Sequence, residues 1–310
     1  MKVLVLRGGP DREREVSLLS GANVAEALRA AGHEVVEADV RPGEREAVEA
    51  FDGEAVFPVL HGKWGEGGPL QEILESRGVG FVGCGPDAAR RCMDKAETKR
   101  RLDAAGLPTP AWGVVSPGDP APLEPPVVVK ALDEGSSFAM AICRTQAELR
   151  DARQRLADHD PLLVERFIAG RELTVGVVSA DVVAGSSPDD ASPLRALPTL
   201  EIVPAAGFYD FDAKYHRNDT RYRFDLDLPA RTLEEIQRSA VAAAVELGVR
   251  DLGRVDFLVD AEDRPWILEI NTMPGFTSHS LLPMAAAQVG VELPVLCDRL
   301  VRRAARRRKP

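Results

Sequence analysis

Two short segments near the C-terminus, RVDFLVD (Arg254 to Asp260) and PWILEINT (Pro265 to Thr272), constrain the fold more than anything else in the chain. Both read as β-strands, rich in β-branched and aliphatic residues, and only Ala261-Glu262-Asp263-Arg264 separates them. A simple hairpin with that loop sets Asp260 opposite Pro265, Asp256 opposite Glu269 and Arg254 opposite Asn271. Side chains alternate every two residues along a strand, so Arg254, Asp256, Glu269 and Asn271 then share one face. Directly opposed Cβ atoms lie about 4.5–5.5 Å apart and facing carboxylates repel, so something positive belongs between them. Two carboxylates and an amide oxygen, with no His or Cys nearby, suit a hard cation such as Mg²⁺. The alternative is an ordinary hairpin with a solvated charged face.

The 310 residues are enough for two or three lobes with sizeable cores. No apolar run approaches the roughly 18 residues that span a bilayer. The opening MKVLVLRGGPDRE reads as a strand and a turn, too short in its apolar part for a signal peptide and without a small-residue cleavage site. Cys84, Cys92, Cys143 and Cys297 show no paired spacing and are expected as free thiols in a reducing compartment, the cytoplasm. A net charge of −10 argues against a dedicated nucleic-acid surface. The basic tail, Arg302 to Lys309, is expected to complement the dipole of a final helix rather than to form a binding arm. Only seven of the 39 basic residues are lysine. A lysine that persists in so arginine-rich a chain marks a place where a compact ammonium is needed and a planar fork does not fit. That filter singles out Lys95, Lys130 and Lys214.

Along the chain, strand and helix first alternate. Val3–Leu6 is a strand broken by Gly8-Gly9. A helix from about residue 14 to 31 places Val16, Leu19, Val24, Ala27 and Leu28 on one face. Glu34–Val40, Ala55–Leu60 and Val79–Val82 are further strands, which makes an open parallel α/β unit. Such sheets bind ligands at the carboxyl ends of their strands, where Gly8-Gly9 and His61-Gly62 fall. A second segment begins near Met93, with a helix from Lys95 to Ala105, a Pro-rich loop from Ser116 to Pro126, and strands around Val127–Lys130, Ala139–Cys143 and Leu162–Phe167. A third holds antiparallel strands, including Leu173–Val178 and Leu200–Val203, a long polar loop from Gly207 to about Arg223, a helix from Leu233 to Leu247, and the hairpin.

Gly135-Ser136-Ser137 follows Lys130 by five residues and lies between two strands. Such a turn exposes N–H groups and hydroxyls able to cradle phosphate oxygens, with Lys130 as a point charge. It does not fit G-x-x-x-x-G-K-[ST], and Gly8-Gly9 does not extend to G-x-G-x-x-G, so neither a Walker loop nor a dinucleotide fold is indicated.

Taken together, the segments are more specific than any one of them. GGPDREREVSLLSG, LHGKWGEGGPLQEILE, the Met-Asp-Lys at Met93–Lys95, KALDEGSS, LLVERFIAGRELTV, FYDFDAKY, GRVDFLVD and EINTMPGFTSHSLLPM run in one order from Val3 to about Leu300. In that order they resemble the D-alanine–D-alanine ligases of the ATP-grasp superfamily. The resemblance implies an N-terminal open parallel α/β domain (1–92), a small central α+β lobe (93–178) and a C-terminal antiparallel-sheet lobe (179–310), with ATP between the last two. It implies Lys95 and Lys130 on the phosphates; Glu165, Phe167 and Ile168 at the base; Glu172 at the ribose; and Lys214 in a loop that closes over the nucleotide. Asp256, Glu269 and Asn271 would hold Mg²⁺, for which Mn²⁺ can substitute. Arg254 and the backbone of Gly275 would stabilise the transferring centre, and Glu13, Ser136 and Tyr215 would form a hydrogen-bonded group over the substrate. His61 would meet the first D-alanine, and Ser280 and Leu281 the carboxylate of the second. A homodimer acting on ATP and D-alanine in cell-wall precursor synthesis, without nucleic-acid or membrane partners, completes the implied picture.

Four departures from the family pattern stand in this sequence: Gly67 for an Asp, Ala131 for a Pro, Phe138-Ala139 for Val-Gly, and Asp11 for a Ser. None removes a residue assigned to metal or chemistry, but they leave two alternatives open. One is a ligase of the same superfamily acting on another small amino acid or amine. The other is an ATP-binding regulatory protein with weak catalysis.

Overall fold

The structure, a computed structural model, describes residues 1–135, 139–187, 192–204 and 219–308. Ser136, Phe138, Lys214 and Tyr215, all named above, lie outside the described residues.

Strands β1 (Lys2–Gly8), β2 (Glu34–Val40) and β3 (Ala55–Pro58) form a parallel sheet in the order β2-β1-β3. The expected strand at Val79–Val82 is reduced to a single parallel bridge between Val56 and Phe81. Helix Arg14–Ala30 crosses from β1 to β2. Leu19 does not join its buried face, being 62% exposed. Ser17 and Ser20 are buried there instead. Ser17 accepts the Gly8 N–H (2.9 Å) and donates to the Val59 carbonyl, while Ser20 accepts the Phe276 N–H at 3.0 Å. Hydrophobic period alone missed this, because small hydroxyls let backbone approach the helix where a Leu would hold it off.

The second sheet is antiparallel: β4 (Trp112–Val115), β5 (Val127–Ala131), β6 (Met140–Cys143) and β7 (Leu162–Arg166), in the order β4-β7-β5-β6. The third holds β8 (Gly170–Ser179), β9 (Leu194–Ala196), β10 (Leu200–Val203), β11 (Arg221–Arg223), β12 (Leu252–Asp260) and β13 (Pro265–Asn271). Its order is β11-β10-β8-β12-β13, with β9 also on β8. Strand β8 sits in the middle of this sheet, among the antiparallel strands of the third segment as its sequence suggests, although the implied central lobe (93–178) would have taken in most of it.

The last helix, Leu293–Arg306, packs on the first lobe. Leu296, Cys297, Leu300 and Val301 share one buried cluster with Val3, Val5, Val24 and Phe57. Its arginines do more than complement a dipole. Arg303, 2% exposed, donates to Asp181 (2.6 Å) and Asp251 (3.2 Å), and Arg307 donates to Asp251 and to the Phe81 carbonyl. Phe276, in the turn after β13, meets Phe57 edge-on with ring centroids 5.3 Å apart. Such a pair adds about 0.5–1.5 kcal/mol to the burial of the rings.

Candidate active site

The hairpin pairs Asp256 with Glu269 and Arg254 with Asn271, as its sequence suggests. Its far end differs: Pro265 faces Val259, not Asp260. A β-bulge leaves Leu268 as one extra residue on β13, which shifts the register of everything nearer the turn. Asp260 instead serves the turn, accepting from Trp266 Nε1 (3.0 Å) and from Arg264 Nε (2.8 Å).

Asp256 is held on three sides. Arg254 donates through Nε to Oδ1 (2.8 Å) and through Nη2 to Oδ2 (2.7 Å), and Thr174, directly across on β8, donates to Oδ1 at 2.6 Å. The positive group on the acidic face is therefore Arg254, which leans onto its strand neighbour. Asn271 Oδ1 accepts the Met273 N–H at 3.0 Å and keeps a second lone pair. Two carboxylates and an amide oxygen on one face fit a hard divalent ion, since every donor is oxygen and none is soft. Among the described residues no group of three or more His, Cys, Asp and Glu side chains gathers where it could hold a metal ion, so this face rests on two carboxylates and one amide oxygen.

Two cavities flank this face. The larger, about 530 Å³, is lined by Lys95, Lys130, Glu165, Phe167, Ile168, Glu172, Asp256 and Glu269 among others. That size falls in the range of roughly 300–1,000 Å³ usual for small-molecule and cofactor sites. At its rim the Arg144 guanidinium sits 5.5 Å from the centre of the Phe167 ring. The smaller, about 110 Å³, is lined by Glu13, His61, Arg254, Glu269, Asn271, Gly275, Ser280 and Leu281, together with Glu66 and Cys92. Lys95, Glu134, Gly135 and Glu269 belong to both linings, so the cavities meet at one wall. All the candidate residues that lie within the described chain thus border one cavity or the other.

The wall is built by short contacts between segments. Lys95 starts a helix that Asp94 caps, and its Nζ donates to the Glu134 carbonyl at 2.6 Å. A Cβ added at Gly135 would stand 3.1 Å from Glu13 Oε2, so the turn after β5 comes right up to the first lobe. Gly62, at φ +75°, turns the chain under Asp11: a Cβ there would lie 2.4 Å from the Asp11 carboxyl carbon.

Two groups in the smaller cavity are neutral because they are buried. Burial pushes the His61 imidazole down, with the charge of Glu13 pulling it partly back. Its Nε2 is buried without a partner among the described residues. Burial also raises the Glu66 carboxyl to about 8, the Glu13 charge adding to the effect. Glu66 accepts the Gly62 N–H at 3.3 Å and the Met273 N–H at 3.1 Å, and so ties the first lobe to the turn after β13. Sequence reading passed over it, although it stands in the Gly65-Glu66-Gly67-Gly68 segment and a buried acid between glycines is a usable signal.

Glu66 has a consequence for stability. Unfolded, it ionises near the ordinary glutamate value of about 4.3. Folded, it keeps its proton to about 8, so between those values the native state binds the extra proton and stability falls as pH rises. The slope is about 1.4 kcal/mol per pH unit for one group. Glu66→Gln keeps the shape and removes the titration, and should flatten the decline in Tm from pH 5 to 8. Thermal melts at half-unit steps check this; an unchanged slope in the variant would assign the decline to other groups.

In the larger cavity Glu165 is 2% exposed and is ion-paired at both oxygens. Its Oε1 pairs with Lys130 and its Oε2 lies 2.8 Å from Lys99 Nζ. Burial works to raise its carboxyl, but the two ammonium groups outweigh it and hold it at about 2. Lysine scarcity pointed to Lys95 and Lys130 but left out Lys99, which is 1% exposed and fits the same criterion.

Residues 119–302 match the family model described as D-ala D-ala ligase C-terminus. Over 98% of its length the chain is 42% identical to the D-alanine–D-alanine ligase of Bordetella parapertussis, covering 95% of that protein. It is 39% identical over 97% of its length to the ligase of that name from Hydrogenovibrio crunogenus, covering 93% of it. Among solved structures, the D-alanine–D-alanine ligase of Coxiella burnetii superposes with a TM-score of 0.83 at 26% identity, over 99% of this chain and 94% of that one. The Bacillus anthracis ligase complexed with ATP does so at 0.82 and 28%, over 99% and 98%. The three sheets, the two cavities meeting at one wall and these likenesses over nearly the full length lead to one conclusion: the chain has the ATP-grasp fold and belongs to the D-alanine–D-alanine ligase family.

Proposed function

We propose that this chain joins two D-alanine molecules into D-alanyl-D-alanine, driven by ATP, through an acyl phosphate. One observation carries the reading: a nucleotide-sized cavity with two lysines shares the wall Lys95, Glu134, Gly135 and Glu269 with a small cavity lined by polar groups. A γ-phosphate in the first and a carboxylate in the second can meet there. The D-alanine carboxylate would attack the γ-phosphorus, releasing ADP and turning a poor acyl donor into one with a good leaving group. The second amine would then attack the acyl carbon and expel phosphate.

In this reading Lys95 and Lys130 hold the phosphates, Glu165, Phe167 and Ile168 the base, and Glu172 the ribose. Arg254 and the Gly275 N–H stabilise the oxyanion of the second step. Buried, neutral His61 offers Nε2 to the first substrate, and Ser280 and Leu281 receive the carboxylate of the second. Glu13, with Ser136 and Tyr215, orders the acceptor, and Lys214 helps to keep water from the acyl phosphate. Asp256, Glu269 and Asn271 are the residues that would hold Mg²⁺ or Mn²⁺, which supplies charge neutralisation for phosphoryl transfer. The division into 1–92, 93–178 and 179–310, with β8 belonging to the sheet of the last lobe, a homodimer and a cytoplasmic location go with the same reading. The buried free thiols support the last, and among the described residues no helix is long and apolar enough to cross a membrane.

The test is phosphate release from ATP with D-alanine, with the product identified by mass; release with another amine and none with D-alanine would overturn the reading. A second acceptor has one observation in its favour. A D-Ala:D-Ser ligase from Enterococcus faecalis superposes equally well, with a TM-score of 0.82 at 26% identity, so the fold does not distinguish D-serine from D-alanine. For acceptor chemistry Tyr215 gives a sharper expectation. Its hydroxyl orders the site for an amine, so wild type should prefer D-alanine to D-lactate at pH 7.5, and Tyr215→Phe should gain ester product. Competition between the two acceptors, resolved by mass, checks it; an ester preference in wild type would contradict it.

A further inference from the structure

The larger cavity rests on a buried cluster of three charges, only two of which face the space inside. Lys130 and Glu165 line the cavity. Lys99 does not; it is 1% exposed and points into the protein on the other side of Glu165. Its Nζ is 2.8 Å from Glu165 Oε2 and donates to Thr109 Oγ1 at 2.8 Å. Thr109 in turn donates to the Ile267 carbonyl at 2.9 Å, on the strand that carries Glu269. The second Glu165 oxygen pairs with Lys130.

Charge counting gives this arrangement its meaning. One carboxylate beside one ammonium would cancel it, and Lys130 would face the cavity as half of a neutral pair. One carboxylate shared between two ammonium groups leaves the cluster at +1, and the free share belongs to Lys130, the member that reaches the cavity. We propose that Lys99 is a positioning residue for the nucleotide: by holding half of the Glu165 carboxylate, it leaves Lys130 its positive charge for the phosphates. Lys99 touches no substrate and acts only through Glu165. Thr109 fixes its ammonium relative to β13, so the charge behind Glu165 and the acidic face in front of it keep one spacing. A compact ammonium suits a cage of this size, and a guanidinium fork does not.

The inference rests on the reading of this cavity as the ATP site, and the experiment separates the two. Binding of ATP and of AMP is measured by calorimetry, without amino acid, for wild type, Lys99→Met and the double variant Lys99→Met/Glu165→Gln. Lys99→Met should lose about tenfold in ATP affinity, as one unit charge acting across roughly 10 Å of protein interior would give, and much less in AMP affinity. The double variant frees Lys130 again and should recover the wild-type ATP-to-AMP ratio to within about threefold. A ratio unchanged in Lys99→Met overturns the proposal and makes Lys99 a support of stability only. If Lys99→Met does not fold, the double variant decides alone, because a ratio reduced tenfold there also overturns it. No ATP binding by wild type would instead overturn the reading of the cavity.

Discussion

Glu269→Gln is expected to lower turnover by about a thousandfold or more at saturating Mg²⁺ while leaving the fold intact. Charge neutralisation at a transferring phosphoryl group is worth several kcal/mol, and each 1.36 kcal/mol is tenfold in rate. Glu269 belongs to the wall between the two cavities, where loss of one negative oxygen acts on the metal and on the reacting groups together. Asp256→Asn should be as inactive, but it is a less clean experiment. Asp256 carries two hydrogen bonds from Arg254 and one from Thr174. Removing one partner of a buried pair costs about 3–5 kcal/mol, so this variant should also melt several degrees lower. Steady-state rates across a Mg²⁺ titration, with a thermal melt for each protein, check both. Activity within tenfold of wild type in Glu269→Gln would remove the acidic face from the chemistry.

Lys130→Arg keeps the charge and should still fail, with kcat/KM for ATP down about a hundredfold and most of the loss in KM. The Lys130 side chain is mostly buried and pairs with Glu165 inside the larger cavity. Burial works against its ammonium, but the charges of Glu165 and Glu269 outweigh that and raise its pKa, so it stays protonated throughout the working range. An ammonium can turn one proton to Glu165 and others to phosphate; a planar fork directs its donors in one plane and needs more width. Equal ATP affinity in wild type and variant would remove the case for a tight cradle.

Much of this site is legible in sequence because strand alternation needs no tertiary information. Asp256 and Glu269 face each other just as a period of two requires. The error at Pro265 has a signal of its own. Ile267 and Ile270, both buried, stand three apart rather than two, and that broken period marks the bulge at Leu268. Other features were not legible. That Thr174 lies across from Asp256 depends on β8 entering the middle of the sheet, a pairing set by the whole lobe. Leu19 looks like core from its spacing, but the helix buries serines that bond to backbone from two other segments. Lys99 was within reach of the lysine argument. It was passed over because no phosphate-like motif stands beside it, and its role depends on a strand more than sixty residues away.

The packing of helix Leu293–Arg306 against the first sheet has a bearing on how the protein is made. A ribosome releases β1, β3 and helix Arg14–Ala30 early, yet Val3, Val5 and Phe57 share their cluster with Leu296, Leu300 and Val301, which emerge much later. Through most of synthesis the first lobe therefore carries an uncovered apolar face. Its completion waits until helix Leu293–Arg306 has been made and can fold back, so that Arg303 finds Asp181 and Asp251. A helix made long after the first sheet decides when the first lobe is finished.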